Sequence, residues 1–583
     1  MSKARRIVLL VTLSITLFIA TLDAISIPTS IPSAGEALNA SFQISWAASS
    51  FFIASTAFLL VYARLAEIFG RKSLLLFSIS VLAIGDLMCG FSTSTGMLFF
   101  SRGLSGMGAG GINALVLIMV GDLTSTMKDS RRRKCQACLE TLVVMGNGLG
   151  PVIAGAVAER ASWRWSFWLL VPMTVVSGVV IAVLMPGVRI DGDWKVKMLG
   201  IDYVGTITSI GAMLLILIPV SYGGVFHAWS SATVIAMLVS AGILGSLFIL
   251  SQWRISAYPV MPTRIMRKIP VQIILSHNLV MGILYFINVF LIPVYFQSIL
   301  GLSPFKSGCL VLPMVLAFSI GASTAGVIIE KIGRTKPVIL IGYALWSIGA
   351  SGKIPFVYCF TQLPKEHEVT LSAPILLIIF SQLIEGVGIG FTFQPAFLAL
   401  LAVTRPEDKA IVTGLRNFFR TIGGAVGLIT ANCIINNILA HKLDPALFER
   451  LRNVGGVVRK IADLTDIERE AIRMARHGAF KVVFSLATPM MFLCFVSFLF
   501  IHERRPEEEA VEKAKVFNDT DTAWTQSAAP SIFHSENSSD DESDTTDLEA
   551  QIESGDRDTA MATLERTETM HQLERSVSMQ QQI

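Results

Sequence analysis

The strongest constraint on this chain is a repeated length. Apolar runs of about 20 residues recur along it, the number a helix needs to cross a hydrocarbon core of roughly 30 Å. They fall near residues 7–31, 44–62, 73–91, 97–121, 136–159, 166–186, 203–222, 232–251, 271–296, 307–330, 335–356, 373–400, 411–438 and 481–501. An unpaired backbone group in lipid is so unfavourable that only helices and closed barrels span a bilayer, and runs of this length are helical. The expectation is an all-α integral membrane protein with fourteen transmembrane helices. Composition agrees: 15% of the 583 residues are charged, against about 25% in a soluble domain, and the mean hydropathy is +0.62.

Several readings fall away early. The first run, "RRIVLLVTLSITLFIATLDAISIP", starts like a secretory leader. It is too long, carries Asp23 and is followed by further spans, so it is expected to be retained. The seven cysteines form no disulfide framework, and the lone CxxC of Cys135 and Cys138 follows "DSRRRK" without a second ligand pair. The eight histidines make no metal-spaced or triad-like set. An enzyme, a metal site, a cofactor and a nucleic-acid partner are not expected. The lipid bilayer is the partner these runs imply, and the chain is expected to be monomeric.

Charge placement orients the spans. With a cytosolic N-terminus, the cytosolic loops hold clusters such as Arg64, Arg71 and Lys72, the run Lys128 to Lys134, and Lys331, Arg334 and Lys336. The opposite short loops hold Arg160, Arg164, Lys306 and Lys365. That bias follows the positive-inside rule and predicts that both termini are cytosolic. The basic connection 439–480 is a long exception on the other side. "NAS", from Asn39 to Ser41, is then a glycosylation sequon in the first outer loop. Beyond residue 501 the chain becomes acidic and poor in apolar residues, as in "SENSSDDESDTTDLE", and 502–583 reads as a disordered cytosolic tail.

An internal repeat organises the rest. Glu67, Gly70 and Arg71, with Lys72, recur 263 positions on as Glu330, Gly333 and Arg334. Each set lies at the cytosolic end of the second span of a six-span block, when spans 7 and 8 are treated as an insert. "GMGAG" (Gly106 to Gly110) in span 4 likewise has a counterpart, "GVGIG" (Gly386 to Gly390), in span 12. The blocks are 1–186 and 271–501, joined by 187–270 with the two extra helices. Two like-oriented halves with cargo held between them at the midplane form a known transporter plan. Glycine at 70 permits a sharp backbone turn, and the charges around it are expected to meet a helix dipole's negative end and to latch one conformation.

On these residues the chain resembles the major facilitator superfamily, and within it the fungal 14-span drug:proton antiporters. "ARLAEIFGRK" is similar to the family's loop 2–3 motif, with Ala63 for a usual Gly and Glu67 for a usual Asp. "RGLSGMGAGG" resembles its span 4 motif, and "LDAISIPTSIP" its span 1 motif, with Asp23 and Pro32 nine apart. "GNGLGPVIAG" resembles the antiporter motif of span 5, with Ala154 for a Gly, and "SWRWSFW" is also typical of the group. The resemblance covers residues 7–501 and implies two six-helix bundles plus two extra helices. In span 5, Gly146, Gly150 and Gly155 with Pro151 give a small-residue face and a bend.

Charges inside the membrane mark the candidate site. Asp23 lies roughly 24 Å along span 1, and Arg102 enters span 4 from the other side by roughly 12 Å, at 1.5 Å per residue. The depths agree, so the two are expected to pair. The resemblance assigns the span 4 arginine, here Arg102, a part in proton movement. Glu385 in span 12 has no evident partner and reads as a lone titrating group, with Asp86 in span 3 behind it; such carboxylates suit reversible protonation. Glu140 and His277 read as helix-end groups near the interface. The resulting expectation is a proton-coupled antiporter exporting lipophilic compounds, with the plasma membrane as its place. The alternative is a vacuolar basic amino acid carrier, which shares "GINAL" and "SWRW".

Overall fold

The apolar runs become helices. The structure, a computed structural model, describes residues 3–501 except 39–43, 45, 125–126, 128, 188–201, 224–226, 256–260, 262, 360–372, 405–407 and 454–463. Asn39 and the tail from 502 onward lie outside the described residues. The first six long helices are α1 (Lys3–Leu38), α2 (Trp46–Phe69), α3 (Arg71–Gly90), α4 (Thr95–Thr124), α5 (Asp129–Arg160) and α6 (Trp165–Leu184, interrupted at Leu169). After them come α7 (Tyr203–Tyr222) and α8 (Ala232–Leu250). The last six are α9 (Ile269–Ser298), α10 (Pro304–Ile332), α11 (Lys336–Cys359), α12 (Ala373–Ala402), α13 (Lys409–Lys442) and α14 (Asp466–Leu499, interrupted at Leu486).

Twelve of these, among the described residues, are long and apolar enough to cross a membrane. The other two are α2, whose apolar part is Trp46–Leu59, and α11, which carries Lys336 and Lys353. Twelve spans are seen by this measure, and α2 and α11 would complete the fourteen expected. Local chemistry fixes several ends. Asp202 caps α7 by accepting the Gly205 amide at 2.8 Å, and Thr465 and Glu468 close a reciprocal capping box at the start of α14.

Packing repeats across the chain. In the first six helices α4 lies between α2 and α3, α1 packs on α5, and α3 on α6. In the last six α12 lies between α10 and α11, α9 packs on α13, and α11 on α14. The duplicated glycines carry this out: Gly106 and Gly110 meet the backbone of α2 and Gly108 that of α3, while Gly386 and Gly390 meet α10 and Gly388 meets α11. Small residues at this spacing let helix backbones approach closely. Between the two sets, α1 touches α9, α2 touches α13 and α5 touches α10. Helix α7 packs on α2 and α13, and α8 packs on α7 with an apolar outer face that includes Val239 and Ile243.

Both repeated glycines sit where only glycine is unstrained. Gly70 has φ +86° between α2 and α3, and Gly333 has φ +69° in the left-handed region after α10. The dipole expectation needs correcting. Arg71 and Lys72 open α3, so they stand at its positive end. The negative end they serve belongs to other helices: Lys72 Nζ donates to the Ala182 carbonyl at 2.7 Å and to that of Met185, at the end of α6. Lys336 does the same for α14, donating to the Leu499 carbonyl at 2.8 Å and that of Ile501 at 2.6 Å. Arg71 forms an ion pair with Asp122 near the end of α4. In the second copy, Glu330 and Arg334 are exposed and form no ion pair among the described residues. The side chain of Glu67 lies outside those residues, as does that of Glu140.

Candidate functional site

Two buried charge networks flank the middle of the bundle. In the first, Arg102 of α4 donates from Nη1 to Asp23 Oδ1 of α1 at 2.7 Å, both side chains fully buried. The depth argument from sequence therefore placed these two correctly. Phe51 lies under the guanidinium at 4.3 Å and Phe167 at 5.5 Å. Asp86 of α3, also fully buried, accepts from Ser105 Oγ at 2.7 Å and lies within electrostatic reach of Asp23 and Arg102. The Oδ2 atoms of both aspartates lack a hydrogen-bond donor. Two buried carboxylates thus lie near one guanidinium, which is bonded to Asp23.

The second network overturns the reading of Glu385 as a lone group. Glu385 of α12 is ion-paired with Lys353 of α11. Its Oε1 also accepts from Asn288 Nδ2 of α9 at 2.7 Å and from Trp346 Nε1 at 3.0 Å. Lys353 Nζ donates in turn to Asn288 Oδ1 at 2.7 Å. The cause is helix proximity. Gly349 of α11 has no side chain to hold off the Glu385 backbone, and Lys353 lies one turn further along the same face. Lys353 falls inside the eleventh apolar run, so the cue that picked out Asp23 and Arg102 was available for it too.

Between the networks lies a cavity, enclosing about 780 Å³ of unfilled space with the open solvent at its mouth included. It is lined from α1, α2, α4 and α5 on one side and α9, α10, α12 and α13 on the other. Its walls are apolar and aromatic, from Phe51, Phe52, Tyr285, Phe286, Phe318 and Phe393, with Asn113, Asn147, Asn417 and Arg420 as polar points. Neither network opens into it directly. Phe51 separates Arg102 from the cavity, and Phe393, which packs against Trp346 with centroids 6.0 Å apart, separates Glu385 from it. Sequence reasoning named neither Phe51, Phe393 nor Arg420, because one aromatic among 35 phenylalanines carries no signal. Arg420 lies inside the thirteenth run and could have been found by its charge.

The small residues of α5 serve two contacts, one within its own set of helices and one with the other set. Gly146 and Gly150 face α1, where a methyl group would stand 3.2 Å from the Phe18 and Leu22 carbonyls respectively. Gly155 backs onto the Pro304 carbonyl of α10, and the Pro151 carbonyl backs onto Gly308 of the same helix. Glu159 accepts from the Phe305 amide beside them at 3.2 Å. These contacts join the last turns of α5 to the first turns of α10. His277 also differs from expectation. It is buried, and its ring nitrogens meet Tyr343 Oη at 2.9 Å and Ser497 Oγ at 2.8 Å, tying α9 to α11 and α14.

A family model described as Major Facilitator Superfamily matches residues 13–428. The chain belongs to that superfamily. Citrate exporter 1 of Yarrowia lipolytica is 31% identical over 507 residues, covering 86% of this chain and 73% of that one. The MFS-type transporter clz4 of Cochliobolus lunatus is 32% identical over 512 residues, covering 87% and 88%. Efflux pump dotC of Dothistroma septosporum is 28% identical over 440 residues, covering 74% and 72%. Among solved structures, an inward-facing, occupied bacterial homologue of the human lysosomal transporter Spinster matches with TM-score 0.55 and 14% identity, over 86% of this chain and 98% of that one. A peptide transporter in complex with sulfate matches with TM-score 0.54 and 17% identity, over 84% and 94%. At such identities the likeness is one of fold. The chain is a multi-pass membrane transporter of the superfamily.

Proposed function

We propose that this transporter is a proton-coupled antiporter that exports lipophilic small molecules by alternating access, with both termini cytosolic. The observation that carries the reading is the separation of an aromatic cavity from a buried network of two carboxylates and one arginine. The network of Asp23, Asp86 and Arg102 is electrically neutral only when one carboxylate holds a proton. An uncompensated charge there is strongly unfavourable, so proton release needs a change of surroundings. Rocking of the helices at α5 and α10 would supply that change by admitting water from one side at a time. Phe51 touches both the guanidinium and the cavity, so cargo occupancy bears on the network through one ring. Plasma membrane placement follows from the export role.

The basic amino acid alternative loses its premise. Asp23 and Glu385 are neutralised by Arg102 and Lys353, and no acidic residue is among those lining the cavity.

The test is transport by the purified full chain in liposomes, with a panel of lipophilic compounds and an imposed pH gradient. Asp86→Asn keeps an oxygen to accept from Ser105 while removing the second carboxylate. Gradient-driven accumulation should be lost while gradient-free exchange of labelled cargo continues. Undiminished driven accumulation by Asp86→Asn and also by Asp23→Asn would remove the network from coupling.

A further inference from the structure

We infer that the cargo is an organic anion, with a single carboxylate or equivalent charge held on Arg420 and an apolar or aromatic body held by the phenylalanine walls. This deepens the export reading and rests on it, since it takes the central cavity as the cargo site.

The charge inventory leads there. Of the eighteen residues lining the cavity, Arg420 alone is ionised at neutral pH; the others are apolar, aromatic, amide or hydroxyl side chains. Its guanidinium is 5.9 Å from the centre of the Phe393 ring and within electrostatic reach of Tyr285. Among the described residues it has no carboxylate partner. The neighbouring intramembrane cations differ: Arg102 is paired with Asp23, and Lys353 with Glu385. Arg416, one turn before Arg420, points to the Phe393 carbonyl at 3.3 Å and lies 4.5 Å from the Phe397 ring centre. Arg420 is therefore the cation that faces the cavity with no carboxylate paired to it among the described residues.

A cation in an apolar cavity is stabilised by whatever anion enters with it, because attraction is strong where water is scarce. A guanidinium also offers a planar fork of donors that suits a carboxylate. A basic cargo would meet like charge, which is unfavourable in the same low-polarity space. Cargo with three negative charges would find one cation and mostly aromatic walls, leaving two charges unmatched. A monoanion with an aromatic or aliphatic body satisfies both surfaces. The Asn417 Oδ1 atom, buried without a donor, provides a further point for a hydroxyl or amide group on the cargo.

The experiment uses three probes on one frame: 1-naphthylacetate, 2-(1-naphthyl)ethanol and 2-(1-naphthyl)ethylammonium, with citrate as the polyanion. Equilibrium dialysis measures binding to the purified full chain, and gradient-free exchange in liposomes measures carriage. In wild type the naphthylacetate should bind about tenfold more tightly than the alcohol, as expected for one charge-assisted pair, with the amine and citrate weakest. Arg420→Met should abolish the acid's advantage while leaving alcohol binding within about twofold. Arg420→Lys should keep most of it. Amine binding as tight as acid binding in wild type overturns the proposal, and needs no variant. So does an acid preference that survives Arg420→Met. Exchange of the alcohol and amine but not the acid overturns the charge assignment and leaves export standing. Failure of the whole frame to bind or exchange, in protein that still carries other lipophilic compounds, removes the cavity as the cargo site and this inference with it.

Discussion

Replacing Glu385 with glutamine tests the second charge network most directly. Both members of its ion pair are buried, with side-chain exposures of 0% for Glu385 and 6% for Lys353. The variant's amide oxygen can still accept from Asn288 and Trp346, which now reach the carboxylate at 2.7 and 3.0 Å. What it cannot do is neutralise Lys353. The ammonium then keeps only the Asn288 carbonyl oxygen at 2.7 Å and the Phe484 ring at 5.9 Å. Removing one partner from a buried pair costs about 3–5 kcal/mol, and Glu385→Gln should fall in that range. Lys353→Met should lose less, about 2–3 kcal/mol, because the stranded carboxylate retains two N–H donors. The double variant should be more stable than Glu385→Gln, since no unpaired charge remains. Unfolding free energies in mixed micelles of dodecylmaltoside and SDS give the full cycle. Driven transport should recover with stability in the double variant. Wild-type stability in Glu385→Gln, or strict additivity of the two losses, would refute the pairing argument.

Three further outcomes are expected. Lys72→Ala and Lys336→Ala should each lose about 1 kcal/mol in the same unfolding assay, because each lysine caps the carbonyl end of a helix; a loss at only one of them would break the equivalence of the two sites. Gly155→Leu should force α5 off the Pro304 carbonyl and loosen this junction. A cysteine placed at Glu159 in a cysteine-free background should then label faster with a membrane-impermeant maleimide, and an unchanged rate would argue against tight packing at this contact. Asn39 should carry a glycan removable by endoglycosidase, whereas sugar on Asn518 or Asn537 would reverse the assignment of the termini to the cytosol.

Legibility in the sequence followed the physics of each feature. The spans were readable because lipid imposes one length and one backbone solution on every run. The Gly70 and Gly333 turns were readable because a positive φ nearly demands glycine. The Asp23–Arg102 pair was readable because both depths follow from the rise of a helix. The partner of Glu385 was missed for a reason of the same kind. Lys353 is 32 positions away on another helix, and only the close approach at Gly349 brings the two together. The direction of Lys72 was missed because the dipole it serves belongs to α6, whose end lies 110 residues downstream. The aromatic walls had no sequence signature at all. A phenylalanine facing lipid and one facing cargo are the same letter.

The two halves share a frame and divide the chemistry. Ser105 on α4 corresponds in the repeat to Glu385 on α12, each one position before the duplicated glycines. At that position the first half is neutral and the second acidic. The second half matches its acid with Lys353 and comes out neutral. The first half adds Asp86 beside Ser105, so its acids outnumber its bases by one. That difference assigns roles. A neutral, four-partner network gains nothing from a proton and is suited to fixing α9, α11 and α12 as one body. A network with one carboxylate in excess is the one that the proposed coupling would use, since an uncompensated charge is unfavourable there. On the proposed antiport reading, proton traffic would belong to the Asp23, Asp86 and Arg102 side, with the Glu385 side as the body against which it moves.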